Sequence, residues 1–501
     1  MTSRITTEGA ARERIEAAFD PELLGTAGDR LVERVVGHLR DLRAGQGPVL
    51  NWTEPSELVD EASATLRQPA DPGLLTERFD ALVRQALDNG INLHHPHYVG
   101  HQVAASVPLA GLFDALGSIT NQVMAVYEMG PWATAVERAL VEELGRRIGW
   151  APGSFAGLVT HGGSLANLTA LLTARNVALG GAWTRGAGAD GPAPVVVVHA
   201  DSHYSIARAV GILGIGTDNL LRAPLDERRR MDPVALDELL GELEQEGRPV
   251  IAVSAAACAT PIGAFDPLVE IAEICRQRGV WLHVDAAHGG SACFSAKHRH
   301  LVEGLELADS VVMDAHKMMF MPALCAFVFY REAAHRFAAF EQDAPYLFDP
   351  AAPGVADYDS GLKTVECTKR AAAFGLWGVW SMFGPQLFSD LVDITYGLGA
   401  AFYQKLVEAP DFQPLHEPQC NIVAFRYVPD ELREAPAEEL GRFQLELRRE
   451  IIESGAFYLV PTKSDGIGAL RVTLINPLTT PDDLDALLDE LRRQGRALLE
   501  V

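Results

Sequence analysis

Five short apolar runs in this chain end in polar clusters, and the residue types in those clusters are the ones that do chemistry. Residues 156–160 lead into His161-Gly162-Gly163-Ser164, 195–199 into Asp201-Ser202-His203, and 249–255 into Thr260. The run Val280 to Val284 ends in Asp285, and Val311-Val312-Met313-Asp314 leads to His316-Lys317. Glycines ahead of a helical stretch let the backbone approach a ligand, and a Ser hydroxyl with the free N–H groups of a helix start suits a phosphate. A plain turn with a Ser cap is the competing account. Lys317 stands among Ala315, Met318, Met319 and Phe320. Apolar surroundings favour the neutral amine, the form that makes a Schiff base, over the solvated lysine that is the ordinary case. Asp285 closes an apolar strand, where a carboxylate needs a partner: the next helix's N–H groups or a protonated pyridine nitrogen. A phosphate cradle, an imine-forming lysine and an aspartate for a pyridinium are together the protein parts of a pyridoxal-phosphate site.

A metal centre competes for some of these residues. His283, Asp285 and His288 are possible ligands, and His94, His95, His97 and His101 form a second cluster. That account leaves Lys317 and the Gly-Gly-Ser turn unexplained, so no metal is expected.

Positioning these groups requires a particular scaffold. The β-branched runs alternate with amphipathic stretches at 164–177, 203–213 and 266–278, which predicts an open, mostly parallel α/β sheet. Ligands of such sheets bind beyond the carboxyl ends of the strands, where all five clusters would meet. Residues 1 to about 90 are polar-helical, and Asn92 to Tyr98 breaks that pattern. Residues 335–365 hold Asp343, Pro345, Pro350, Pro353 and Gly354 with weak periodicity, predicting a mobile loop. After about 386 come a helix at 386–407, a strand at Asn421–Tyr427, a helix at 436–453, a strand at Leu470–Ile475 and a helix at 481–498. The expected division is an N-terminal helical segment at 1–105, a large α/β domain at 106–385 and a small α+β domain at 386–501.

The 501 residues are 48% hydrophobic and 22% charged, which excludes global disorder. A net charge of −25 without a basic stripe argues against nucleic-acid binding. The longest clearly apolar run, Phe320 to Tyr330, has 11 residues against the ~20 that span a bilayer. No signal peptide is visible, and the dispersed Cys258, Cys275, Cys293, Cys325, Cys367 and Cys420 read as reduced thiols. A cytoplasmic protein without nucleic-acid or membrane partners is expected.

At these residues the sequence resembles the group II pyridoxal-phosphate-dependent amino-acid decarboxylases, which act on glutamate, aromatic amino acids, cysteine sulfinate or diaminobutyrate. The resemblance runs from about Asn92 to Pro477 through THGGSLANLTALLTAR, HYSIARA, GAFDPL, WLHVDAAHGG, ADSVVMDAHK, APYLFDP and LRVTLINP. It implies the aspartate-aminotransferase-like type I fold, a homodimer with interfacial active sites, and pyridoxal 5'-phosphate as cofactor. By motif, Lys317 is the Schiff-base lysine, Asp285 holds the pyridinium, Ala287 packs under the ring and His203 stacks on its other face. Gly163, Ser164, Thr260 and His316 surround the cofactor and its phosphate. Tyr346 sits in the closing loop as proton donor, while Arg471 and Gln102 meet the substrate. The sequence departs from the family at Leu165, at CATP over 258–261 and at His288. The implied reaction is α-decarboxylation of an L-amino acid. Tyr127-Glu128 and Tyr346-Leu347-Phe348 lean towards an acidic substrate (glutamate, aspartate or cysteine sulfinate), with 2,4-diaminobutyrate or an aromatic amino acid as alternatives. Another carbon–carbon lyase or a decarboxylating aldehyde synthase is more distant.

Overall fold

The structure, a computed structural model, describes residues 2–189, 191–340, 357–464 and 466–500. Its N-terminal part is the helices α1 (Thr2–Ala18), α2 (Pro21–Arg43), α3 (Pro55–Arg67) and α4 (Leu75–Asp88). Helices α2, α3 and α4 bury almost nothing: Leu42 in α2, Asp80 in α4 and no residue of α3. The segment after α4 is extended and clasps the C-terminal sheet. Val99 N–H donates to Tyr458 O at 3.1 Å, and Thr473 N–H donates to Val99 O at 2.8 Å. Asn476 Nδ2 donates to His95 O at 2.8 Å. This path delivers Gln102 to the main sheet.

Helices α5 (Pro108–Ile119) and α6 (Pro131–Ile148) flank β1 (Val123–Met124), which pairs antiparallel with β9 (Lys369–Arg370). The main sheet contains β2 (Ala156–Thr160), β3 (Val195–His199), β4 (Leu220–Ala223), β5 (Val250–Ala256), β6 (Trp281–Asp285), β7 (Ser310–Asp314) and β8 (Ala326–Tyr330). Their order is β2-β8-β7-β6-β5-β3-β4. β8 is antiparallel to both neighbours and the other pairings are parallel, so the mostly parallel α/β sheet expected from the sequence is found. Between the strands run α7 (Gly163–Leu179), the short α8 (Ala182–Arg185), α9 (Tyr204–Ile212), α10 (Pro233–Gln245) and α11 (Leu268–Arg278).

Helices on both faces explain why β3, β7 and β8 are buried along their whole length and read as continuous apolar runs. Side chains alternate between the faces. Val196, Val198 and Val312 share one apolar cluster with Ala166, Ala170 and Ala174 of α7, a four-residue spacing of small residues that brings the helix close to the sheet. Val197, Val253 and Val311 pack with Leu140, Leu236 and Ile271 on the other face. A buried Lys369 Nζ donates to both Glu137 oxygens and to Val159 O, each at 2.7 Å, tying β9 and α6 to β2.

The C-terminal sheet is β10 (Phe412–Pro414), β11 (Ile422–Tyr427), β12 (Val460–Ser464) and β13 (Ile467–Thr473), antiparallel in the order β10-β11-β13-β12. Helices Gln386–Glu408, Ala437–Ser454 and Pro481–Leu499 cover it. Among the described residues no helix is long and apolar enough to cross a membrane.

Candidate active site

Because β8 reverses direction between β2 and β7, the carboxyl ends of β2, β3, β5, β6 and β7 share one rim. A cavity of about 270 Å³ opens there. It brings together Gln102, Gly163, Ser164, His203, Thr260, Asp285, Ala287, His316 and Lys317. Arg471 stands behind the wall, its Nη1 donating to Thr260 O at 2.8 Å and its buried Nε without a partner. Tyr346 lies outside the described residues.

The start of α7 forms one end of the site. Gly162 is its cap at φ 111°, left-handed backbone that favours glycine. Gly163 is required for a different reason: a Cβ there would sit 2.7 Å from Asp314 Oδ2. The first N–H groups of the helix have no intrahelical acceptor and carry the positive end of its dipole. Ser164 lies inside the helix rather than at its cap, and it is exposed.

Asp285 is held by a hydrogen-bond chain buried under the sheet. Its Oδ1 accepts from Ala287 N–H at 3.2 Å and its Oδ2 from Asn167 Nδ2 at 2.9 Å. Asn167 Oδ1 accepts from His283 Nε2 at 3.0 Å, and His283 Nδ1 meets Ser310 Oγ at 2.9 Å. Trp281 Nε1 donates to that same Ser310 oxygen at 2.9 Å, so the Ser310 hydroxyl proton goes to His283. Every polar atom of the chain has a defined role, and burial pushes His283 down to about 4, keeping it neutral.

His203 caps α9 as a helix-start imidazole. Its Nδ1 accepts from Ser205 N–H at 3.3 Å and from Ser205 Oγ at 2.8 Å, because that oxygen itself accepts from Asn167 Nδ2 at 3.0 Å. With Nδ1 occupied as an acceptor, the ring proton belongs on Nε2. Burial lowers the His203 pKa.

Lys317 follows the end of β7 in a turn, its N–H donating to Asp314 O at 3.1 Å. Its Nζ is 3.4 Å from Asp314 Oδ2, and His316 Nε2 is 3.5 Å from the same oxygen. Asp314 is buried, its Oδ1 has no partner, and burial raises its pKa. His288 is also buried: its Nε2 donates to Asn421 Oδ1 at 2.8 Å, while Asn421 Nδ2 donates to Leu474 O at 3.3 Å. Its Nδ1 is therefore an unpartnered acceptor, and burial pushes the ring down to about 3.

Sequence reasoning did not single out Asn167 or Ser205, nor the pairing of His161 Nδ1 with Glu366 Oε1 at 3.1 Å. Asn167 had one signal, a position four residues after Gly163 on the same helix face. Three histidines of the alternative metal clusters have structural partners: His94 Nε2 meets Ser106 O at 2.9 Å, His97 Nδ1 meets Ala456 O at 3.0 Å, and His283 belongs to the chain described above. Among the described residues no group of three or more His, Cys, Asp or Glu side chains is arranged to hold a metal.

Comparison with known proteins is consistent with this chemistry. The model of the pyridoxal-dependent decarboxylase conserved domain matches residues 67–428. The crystal structure of mouse CSAD superposes with a TM-score of 0.87 at 28% identity, over 95% of this chain and 99% of that one. Two structures at lower identity share the fold. The glutamate decarboxylase domain of a diaminobutyrate-pyruvate transaminase and L-2,4-diaminobutyrate decarboxylase from Vibrio parahaemolyticus gives 0.79 at 22%, covering 93% and 95% of the two chains. Oryza sativa TDC with PLP and tryptamine gives 0.86 at 21%, covering 96% and 99%.

Proposed function

The chain belongs to the pyridoxal-dependent decarboxylase family and is a pyridoxal 5'-phosphate-dependent amino-acid carboxy-lyase; on that premise we propose that it removes the α-carboxylate of an acidic L-amino acid (glutamate, aspartate or cysteine sulfinate) as CO2. The observation that carries this reading is the shared cavity of Lys317, the clamped Asp285 and the open start of α7. The donor set fits the cofactor. Lys317 offers the amine that anchors it, and Asp285, fixed by Asn167 and Ala287, holds a proton on the ring nitrogen. Ala287 would pack under the ring and His203 against its other face, while Gly163, Ser164, Thr260 and His316 would surround the cofactor and its phosphate. When bound, the cofactor supplies the electron sink that takes up the pair left by departing CO2.

The rest falls to this chain's residues. Arg471 and Gln102, each with a buried donor left without a partner, orient the substrate carboxylates. His203 positions the reacting centre with Nε2–H, and Tyr346 returns a proton to Cα. The acidic preference rests on Tyr127-Glu128 and Tyr346-Leu347-Phe348. A second reading, 2,4-diaminobutyrate or an aromatic amino acid with a polar substituent, is favoured by His288, whose neutral Nδ1 suits a substrate donor rather than a carboxylate.

The same proposal includes a homodimer divided at 1–105, 106–385 and 386–501. Its support is exposed apolar surface: Leu24, Leu31 and Val32 on α2, Leu112, Leu116 and Ile119 on α5, and Met382 with Phe383. Six free cysteines, five of them buried, suit a reducing cytoplasm. The test is CO2 release by the holoenzyme from a panel of all proteinogenic amino acids plus cysteine sulfinate and 2,4-diaminobutyrate. Turnover should be highest on an acidic member, and Lys317→Ala should abolish both turnover and the visible band of bound cofactor. Preference for 2,4-diaminobutyrate or an aromatic amino acid would overturn the acidic assignment. A cofactor-loaded enzyme releasing CO2 from none of them would overturn decarboxylation itself.

A further inference from the structure

Asp314 is the acidic residue of the cavity that the roles above leave unused. It ends β7 with its backbone N–H on Ala287 O at 3.1 Å, and the turn that follows folds Lys317 back over it. One carboxylate oxygen is shared by two side-chain nitrogens, Lys317 Nζ at 3.4 Å and His316 Nε2 at 3.5 Å. The other oxygen is buried with no partner. The space for this carboxyl exists only because residue 163 is glycine: a Cβ there would lie 2.7 and 2.8 Å from its two oxygens. A structural ion pair would be expected to satisfy both oxygens, since a half-satisfied buried carboxylate is costly.

We propose that Asp314 is the proton acceptor and donor for Lys317, taking a proton from the ε-ammonium when the amine must attack and returning it when the lysine is released. This rests on the assignment of Lys317 as the cofactor-anchoring lysine. In the step, one N–H bond of Lys317 breaks, its electron pair stays on nitrogen as the attacking pair, and an O–H bond forms on Asp314 Oδ2. The reverse transfer restores the ammonium. In a dry cavity the neutral carboxyl–amine pair avoids the desolvation penalty of two imperfectly paired charges. The other titratable groups facing Asp314 are Asp285 from β6, whose charge opposes ionisation, His203 from the start of α9 and the Cys325 thiol before β8. Burial is the main reason that Asp314 is a stronger base than a solvated carboxylate.

The experiment follows capture of pyridoxal 5'-phosphate by the full-length chain stripped of cofactor, read from the visible band, together with its rate of release, between pH 6 and 9. Asp314→Asn should slow capture by about 10²-fold, the lower range for loss of a positioned general base. It should slow release by a similar factor, leaving the dissociation constant nearly unchanged, and Asp314→Glu should recover part of the rate. In the wild type, capture should fall as the pH drops and Asp314 takes up its proton, more steeply than in the Asn variant. Formate should accelerate capture by Asp314→Ala, which also serves if the Asn variant does not fold. Capture at the wild-type rate by Asp314→Asn overturns the proposal. So does slower capture with faster release, the signature of a merely structural residue, or a wild-type fall with pH no steeper than the Asn variant's. If Lys317→Ala still develops the visible band, the anchoring assignment fails instead.

Discussion

The hydrogen-bond chain under Asp285 makes the sharpest quantitative prediction, and Asn167 is the residue on which it turns. Asn167 is 1% exposed and makes three bonds: to Asp285 Oδ2 at 2.9 Å, to Ser205 Oγ at 3.0 Å and from His283 Nε2 at 3.0 Å. Asn167→Ala removes all three. His283, fully buried, is left with an N–H lacking an acceptor, which costs about 1–3 kcal/mol, and Asp285 loses a charged hydrogen bond of about 1.5–3 kcal/mol. The truncated side chain leaves room for a water with several polar partners, so the loss should lie near the lower end, about 3 kcal/mol. Part of that appears as stability: the midpoint of thermal unfolding should fall by several degrees. Part appears as function, because in its proposed role Asp285 would then be free to turn away from the cofactor's ring nitrogen. A loss of about 1.4–2.7 kcal/mol in orientation corresponds to a roughly ten- to hundredfold drop in kcat. Asn167→Asp separates the two effects, since it keeps the shape but sets a second carboxyl against Asp285. It should weaken cofactor retention more than the Ala variant does. Differential scanning fluorimetry with and without cofactor, followed by CO2 release at saturating substrate, measures both. If Asn167→Ala melts within a degree of the wild type and turns over normally, the chain is not what holds Asp285.

Two further outcomes follow from the same architecture. Tyr346→Phe should keep cofactor binding while amine formation falls sharply and aldehyde appears in air; amine production at the wild-type rate would pass the closing proton to His203. Deleting residues 1–90, whose apolar faces have little to pack on within their own chain, should give insoluble or inactive protein, and an active monomer in sedimentation would refute the dimer.

The strands that carry the site were legible because each is an apolar run with a polar residue at its carboxyl end. β2, β3 and β7 fall at 156–160, 195–199 and 310–314 as the residue pattern predicts, and β5 and β6 are displaced by one residue. β8 was concealed inside the run Phe320 to Tyr330. That run is half loop, with Phe320 at φ 59°, and half strand, and apolar character alone does not divide it. β4 has four residues and a partly exposed edge position, too short a signal for alternation. The site residues that the pattern misses are those whose partners are distant in sequence. Asn167 reaches Asp285 across 118 positions, and His161 reaches Glu366 across 205. Cys258 and Cys420 stand 3.9 Å apart across 162. Each looks like an ordinary helix or loop residue until the fold sets it beside its partner.

The two aspartates at neighbouring strand ends show why residue type alone underdetermines a site. Asp285 and Asp314 each close an apolar strand on the same rim, and β6 pairs with β7 in register between them. Their surroundings differ in kind. Asp285 receives an N–H donor on each oxygen and stands in a chain of bonds that runs back to Trp281. Such a carboxylate keeps one orientation, which is what the role proposed for it, holding a proton on a ring nitrogen, would require. Asp314 has one oxygen shared between two basic side chains and one left bare, in a space opened by the missing side chain of Gly163. Such a carboxyl is suited to exchanging a proton. The division follows the general rule that paired titratable groups in contrasting environments take contrasting tasks. Here the contrast is made by two residues, Asn167 and Gly163, that sit one helical turn apart at the start of α7.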